Sequence, residues 1–509
     1  MNHFMIVPVA LPAFVAALTL LGMRRRLALG RAVSFAACVA LLAVAIGLMW
    51  QARDGSVVTY ALGNWPPPFG IVLVLDRLSA MMLLLVALLA LAVLGHVVVT
   101  GLDRRGWHFH PLFHFQLLGL NGAFLTGDLF NLFVFFEVLL IASYGLMLHG
   151  QGAARLQAGV QYVVINLVGS TLFLVAVGML YGVTGTLNMA DLAVRIAAAP
   201  AADQGLIRAG AQLLIAVFAL KAALLPLHLW LPRTYANAAA PVAALFAIMT
   251  KVGVYSIIRV TTVAFGDGAG AAAWAPAGWV LPAALLTVVV GFVGLLAATR
   301  LRDMAAFAII GSTGTLLLAV AMFDEGAMAA ALYYLPHSTL AGAALFLVVD
   351  LISRRRPELD DRIEAGPRYP GIEPLSLLFL LAAIALAGLP PLSGFVGKLL
   401  VLDAARGHAA APWVWTTVLG ATFLALVAFA RAGSTLFWKS AGTDRPARAA
   451  PAGIRTAAIV PAAALLALLA LLTMLAGPAT AFAADAAAQL FAPENYVAAV
   501  LGGGTGGAR

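Results

Sequence analysis

Charge is what this sequence has least of. Only 10% of its 509 residues are Asp, Glu, Lys or Arg, against about 25% in a soluble domain. Hydrophobic residues make up 63%. A water-soluble fold of this composition would have no polar surface left to cover its core, so lipid is the solvent it requires. Cysteine is nearly absent as well. Cys38 alone excludes an intrachain disulfide and the several thiolates of an iron–sulfur site. The net charge is +9, but no aromatic–basic stripe marks a nucleic-acid surface, and the Arg residues fall in short loops. No Lys or Arg precedes the first apolar run, residues 4–22; Arg24, Arg25 and Arg26 follow it. That order fits a first membrane span with its N-terminus outside, not a cleaved secretory leader.

Long apolar runs are what the chain does have. A spanning helix needs about 20 such residues, and candidates fall near 4–23, 31–50, 71–99, 111–127, 129–149, 157–182, 206–231, 240–262, 274–298, 304–323, 326–352, 374–404, 412–438 and 454–477. The expected fold is therefore an all-α integral membrane protein of about fourteen transmembrane helices. With the N-terminus outside, nineteen Lys and Arg residues fall in inside loops and seven in outside loops, as the positive-inside rule requires. Arg259 is counted among the seven. Segment 478–501, interrupted by Pro493, reads as a short interfacial helix, and the tail Gly502–Arg509 as disordered. No soluble domain fits between the runs.

Ionisable groups inside a bilayer are expensive and functional by default. Five fall mid-span: Glu137, Lys221, Lys251, His337 and Lys398. Arg431 is left out, because it can snorkel to the inner surface. Glu137 shares a helical face with Phe130, Phe133 and Tyr144. Lys221 precedes Pro226 and His228, and Pro226 removes a backbone donor and frees the carbonyl of Ala222. Lys398 follows Pro390, Pro391, Gly394 and Gly397. Lipid tolerates such interruptions only where neighbours re-satisfy the backbone or a cavity is lined. Two interrupted spans at corresponding places point to two inverted five-helix repeats, each containing a broken helix. The expected divisions are 1–110, 111–262, 274–438 and 454–509, the middle two being the repeats. Lys251 has Tyr255 one turn on, and His337 follows Pro336. Each group also has a plainer reading: a helix–helix pair for Glu137, a stabilising partner in a kinked helix for Lys221, a hydroxyl-satisfied core histidine for His337. Taken together, an acid followed by four bases reads as a row of coupled titrating groups that passes protons.

Other motifs carry less. His108, His110 and His114 lack a Cys or carboxylate at ligand spacing, so they read as interfacial anchoring rather than a metal site. Gly311-Ser-Thr-Gly314 matches no phosphate loop and reads as close helix packing. No cofactor motif and no oxygen-rich site for a hard cation is present.

The stretch from Thr126 through Asp128, Asn131 and Glu137 to Tyr144 resembles the fifth helix of the D-type chain of Mrp (Pha, Mnh) multisubunit cation/proton antiporters. Leu220-Lys221 to Pro226, His228, Trp230 and Pro232, then Ala240-Pro241, Lys251 and Tyr255, is similar to the seventh and eighth helices of the wider family. That family includes the antiporter-like membrane subunits of complex I and of membrane hydrogenases. The resemblance covers about 70–480 and implies a secondary-transporter subunit rather than an enzyme. It implies a hetero-oligomer with other membrane subunits, moving protons against sodium or another monovalent cation across a bacterial inner membrane, with both termini on the periplasmic side. By the resemblance, Glu137 and Lys221 match the proton-pumping pair, Lys251 the connecting lysine, His337 the relay histidine and Lys398 the broken-helix lysine. His228, Tyr255, Pro226 and Pro390 would support them. The cation path is expected elsewhere in the complex. The alternative is a proton-pumping subunit of a complex I-type NADH–quinone oxidoreductase or membrane hydrogenase, driven by redox partners; a bare scaffold would leave the five buried groups unexplained.

Overall fold

The computed structural model describes residues 3–23, 25–439 and 456–502. Arg24, Arg445, Arg448, Arg455 and the tail from 503 to Arg509 lie outside the described residues, so the readings that rest on them are not tested. The chain is a helical bundle. Its first part runs α1 (Val7–Leu21), α2 (Leu27–Ala52), α3 (Arg77–Thr100), α4 (Phe109–Leu125), α5 (Leu129–Leu148), α6 (Ala153–Thr184) and the short α7 (Met189–Ala197). Next come α8 (Gln204–Lys221), α9 (Trp230–Asn237), α10 (Ala240–Phe246), α11 (Met249–Ala264), α12 (Ala277–Ala297), α13 (Leu301–Val320) and α14 (Glu325–Arg355). The last part is α15 (Ile372–Ala387), α16 (Ser393–Ala404), α17 (Ala411–Gly433), α18 (Val460–Met474), α19 (Ala476–Phe491) and α20 (Pro493–Gly502).

Among the described residues, eleven helices are long and apolar enough to cross a membrane, and twelve if α18 and α19, bent by 80°, form one span. Of the fourteen expected spans the other two are short: α4, and the interrupted pair α15 and α16.

The expected span at 71–99 starts late. Residues 72–75 instead form β2 (Val72–Leu75), antiparallel to β1 (Val58–Ala61), with Val58 opposite Leu75. The alternating Val and Leu side chains favour a strand. Asp76 then starts α3 by a reciprocal cap with Ser79, each side chain bonding the other's backbone N–H.

The two ends of the bundle differ. At one end Arg155 bonds the carbonyls of Asn237 and His149, Arg300 pairs with Asp361 at 2.8 Å and Arg431 donates to the carbonyl of Ala298. This basic end also carries Arg104, Arg105, Arg356, Arg362 and Arg368. At the opposite end lies the hairpin, with Arg77 reaching Asp485 and Trp274 stacked on Phe491. Segment 478–501, expected as one short helix, is divided between α19 and α20. α19 packs on α14 and buries Ala483, Ala486, Ala487 and Leu490; α20 begins at Pro493, whose fixed φ suits a first helical turn.

Arg259 is also placed differently from expectation. It is not a loop cation: it lies in α11, 2% exposed, and holds Asp76 in a two-pronged pair at 2.5 and 2.8 Å. Asp76 stands where the apolar pattern predicted the interior of a span, so nothing in that pattern marked it as the partner of Arg259.

Candidate functional site

Both interruptions fall beside a lysine. α8 stops at Lys221, and residues 222–229 run as irregular chain before α9. The loosened backbone finds partners, as lipid demands. The N–H of Leu225 donates to Thr287 Oγ1 at 2.8 Å, and Trp230 Nε1 donates to the carbonyl of Leu220 at 3.0 Å. In the second interruption Lys398 itself supplies the bond: its Nζ donates to the carbonyl of Ala387 at 2.7 Å and to Thr422 Oγ1 at 3.0 Å. Gly388, next to that carbonyl, has φ 75°, and a Cβ there would lie 2.6 Å from Lys398 Cδ; only glycine fits. The Lys398 ammonium therefore sits at the C-terminal end of α15, where the backbone dipole favours a cation.

Lys221 is buried, and its Nζ donates to Asn166 Oδ1 at 2.9 Å. Asn166 is fixed in turn by donating from Nδ2 to the carbonyl of Tyr162. One turn along α6, the hydroxyl of Ser170 donates to Glu137. A single face of α6 thus holds the acid through Ser170 and the base through Asn166, and Glu137 lies within electrostatic reach of Lys221. Phe136 closes one side of the lysine, its ring 5.8 Å from Nζ.

Lys251 is wholly buried in α11 and donates to Thr250 Oγ1 at 3.3 Å and Thr313 Oγ1 at 3.2 Å. Helix α11 touches the first interruption closely: a Cβ on Gly253 would stand 2.6 Å from the Phe218 carbonyl and the Ala222 nitrogen. Next to Thr313, Ser312 donates to Ser338 Oγ at 2.7 Å and lies 3.2 Å from the Tyr334 hydroxyl. His337, whose ring is 5.3 Å from that of Tyr334, bonds Ser393 Oγ through Nδ1 at 3.0 Å. Ser393 opens α16, so the histidine abuts the second interruption. It lies within electrostatic reach of both Lys251 and Lys398.

Each expected group thus has local polar partners: Ser170 for Glu137, Asn166 for Lys221, Thr250 and Thr313 for Lys251, Ser393 for His337, and the Ala387 carbonyl with Thr422 for Lys398; Asn166, Ser170 and Thr422 were not singled out from sequence. Gly311 and Gly314 do pack against α12, as expected; between them Thr313 accepts from Lys251 and Ser312 donates to Ser338. His228 lies in the first interruption, mostly buried. Tyr255 is not a partner of Lys251. Its hydroxyl donates to the Phe124 carbonyl at 2.7 Å and accepts from Arg259 Nε at 3.2 Å.

Other charges are buried as well. His96 in α3 meets Asp350 in α14 at 2.9 Å, and Arg354 joins the same carboxylate. Of the histidines at 108–114, His108 is exposed, while His110 and His114 are buried in α4, and His110 bonds Asp103 at 3.2 Å. Burial alone would raise the pKa of Asp103, but the Arg31 and His110 hydrogen bonds and the Arg31 charge outweigh it and hold it at about 2. Among the described residues no group of three His, Cys, Asp or Glu could hold a metal.

A many-helix membrane bundle with buried ionisable groups beside two interrupted helices has the architecture of an ion-translocating membrane subunit. The comparisons narrow the class. The sequence model described as "NADH:quinone oxidoreductase/Mrp antiporter, TM" matches residues 126–425, and the chain belongs to that family. The D-type chain of a probable K(+)/H(+) antiporter of Rhizobium meliloti (strain 1021) is 40% identical, over 98% of each chain. The D-type chain of a Na(+)/H(+) antiporter of Bacillus subtilis (strain 168) is 36% identical, over 98% of this chain and 100% of that protein. A chain of the Mrp complex from Dietzia sp. DQ12-45-1b superposes with a TM-score of 0.87 at 30% identity, covering 98% of this chain and 100% of that one.

Proposed function

We propose that this chain is the proton-translocating subunit of a multisubunit monovalent cation/proton antiporter, with sodium or potassium as the exchanged cation. Protons move along Glu137, Lys221, Lys251, His337 and Lys398, and the hydroxyls between these groups carry the steps. The observation that supports this most is the shared face of α6, with Ser170 on the acid and Asn166 on the base. Such a bridge lets the charge of Glu137 act on Lys221 without locking the two into contact, so small helix shifts change their coupling. His228 and the interruption at Pro226 and Pro390 give the two lysines room and polar company; Tyr255 steadies α11 through Arg259 rather than joining the relay. The chain is a transporter subunit, not an enzyme.

Counting α4 and the α15/α16 pair as spans gives fourteen crossings, arranged as helices 1–3, two inverted repeats over 111–262 and 274–438, and a last span. The basic end then faces the cytoplasm of a bacterial cell, by the positive-inside rule, and both termini face the periplasm. The partners are the other membrane subunits of the antiporter. A second reading, a proton pump driven by a redox partner, has the family description itself in its favour, because it names NADH:quinone oxidoreductase beside the antiporter.

The test is cation/proton exchange in everted vesicles from an antiporter-deficient host expressing the whole gene cluster. Added sodium or potassium should collapse the pH gradient with the wild-type chain and not with Lys221→Ala. An assembled wild-type complex with no response to either cation would reject the antiporter reading and leave the redox pump.

A further inference from the structure

Between α15 and α17 a slot of about 470 Å³ opens on the outer wall of the bundle. Leu377, Leu380, Ala383 and Phe429 line its depth, and the lining is almost wholly apolar. At the basic end it runs into a second cavity of about 480 Å³, sharing Ala430, Gly433, Ser434 and Phe437 with it and adding Arg368 and Trp438. Helix α17 ends there in a single π-helical turn, Ser434–Trp438, a local irregularity frequent at functional sites. The turn sets Ser434 and Phe437 into the wall and leaves Trp438 82% exposed, at the level where indoles meet a membrane–water boundary. Arg368 is exposed, and no carboxylate pairs with it among the described residues.

We propose that this slot binds an anionic glycerophospholipid. One acyl chain lies along α15 and α17, and the phosphate meets the Arg368 guanidinium with the Ser434 hydroxyl as a further donor. The volume is that of a single long acyl chain and far below that of a spanning helix of about 10 Å diameter, which argues for lipid over a partner's helix. The charge argues for the headgroup: a guanidinium at the mouth of an apolar slot selects a phosphodiester that carries net negative charge. The slot reaches Ala387 and Leu389 beside the second interruption, but retention of a lipid in it does not depend on what Lys398 carries.

The test uses the complex purified from cells expressing the whole gene cluster, stripped of lipid and incubated with phosphatidylglycerol or with phosphatidylcholine of the same chains. Native mass spectrometry counts the lipids retained. The wild type should keep phosphatidylglycerol in preference. Arg368→Gln should lower that preference about fivefold, the worth of one basic group at a membrane surface. Ala430→Trp, on an exposed helix face, should fill the slot and remove one retained lipid of either kind. Equal retention of both lipids by the wild type, or retention that neither variant changes, overturns the proposal. So does cross-linking of a cysteine placed at Leu380 to a neighbouring subunit, which would put protein in the slot.

Discussion

The α6 bridge can be tested at one side chain. Asn166→Leu keeps the branched shape of the side chain and removes the oxygen that accepts from Lys221 Nζ at 2.9 Å. A hydrogen bond to a charged group is worth about 1.5–3 kcal/mol. Lys221 is 5% exposed, so water cannot replace the lost acceptor at full strength. If the proton passes through the charged form of Lys221, the loss falls on the barrier, and each 1.36 kcal/mol is about tenfold in rate. Exchange should therefore fall by about ten- to a hundredfold. The assay is cation/proton exchange in everted vesicles, with the quantity of assembled complex measured on a native gel. Ser170→Ala, one turn away, should also lower exchange, because it removes the donor to Glu137. An assembled Asn166→Leu complex that exchanges within about twofold of wild type would refute the reasoning and reduce Asn166 to a helix-packing residue.

Two other charges should act on stability rather than exchange. Arg259→Met leaves Asp76 buried without its two-pronged partner, which should cost about 3–5 kcal/mol and lower the unfolding temperature in detergent; adding Asp76→Asn should recover part of the loss, and a double variant no better than the single one would count against the pair. Asp103 lies outside the spans, with its pKa held at about 2 against an ordinary 3.8. A depressed carboxyl stabilises above its unfolded value and loses that contribution as pH falls through its folded one. The stability gap between wild type and Asp103→Asn should therefore be roughly 2 kcal/mol at pH 5 to 7 and close between about pH 4 and pH 2; a gap that does not change with pH would show that Arg31 and His110 do not govern this carboxyl.

Hydropathy made most of the bundle legible, because a 20-residue apolar run has few other uses. It could not see β2, since Ile71 to Leu75 is as apolar as a helix start and only the pairing with β1 decides the matter. Prolines and glycines made both interruptions legible, and charge in an apolar run made the five ionisable groups legible. The groups between them were not. Asn166, Ser170, Thr313 and Ser312 are small polar residues of a kind common in membrane helices, and nothing in their spacing says which face meets a lysine. Tyr255 lies one turn from Lys251 on α11, and its hydroxyl meets the Phe124 carbonyl and Arg259, one turn further on the same helix.

Two kinds of cation can be told apart by their partners. Arg259 is held by Asp76 and Arg31 by Asp103. A guanidinium does not lose its proton in a protein, so these pairs are fixed charges that tie α3 to α11 and α2 to the loop before α4. The three lysines have neutral acceptors instead: an amide oxygen for Lys221, two threonine hydroxyls for Lys251, a carbonyl and a hydroxyl for Lys398. Each such acceptor can take a hydrogen bond from an ammonium or from a neutral amine. A lysine so placed can change charge without stranding a buried carboxylate, which an ion-paired lysine could not. Arg259 and Arg31 thus sit with aspartates that hold a fixed charge, whereas Lys221, Lys251 and Lys398 sit on amide, hydroxyl and carbonyl acceptors, as the proposed relay requires. Replacing one of these lysines by arginine would keep the charge and most of the length but remove the ability to change state, and that difference is what separates a relay from a row of structural cations.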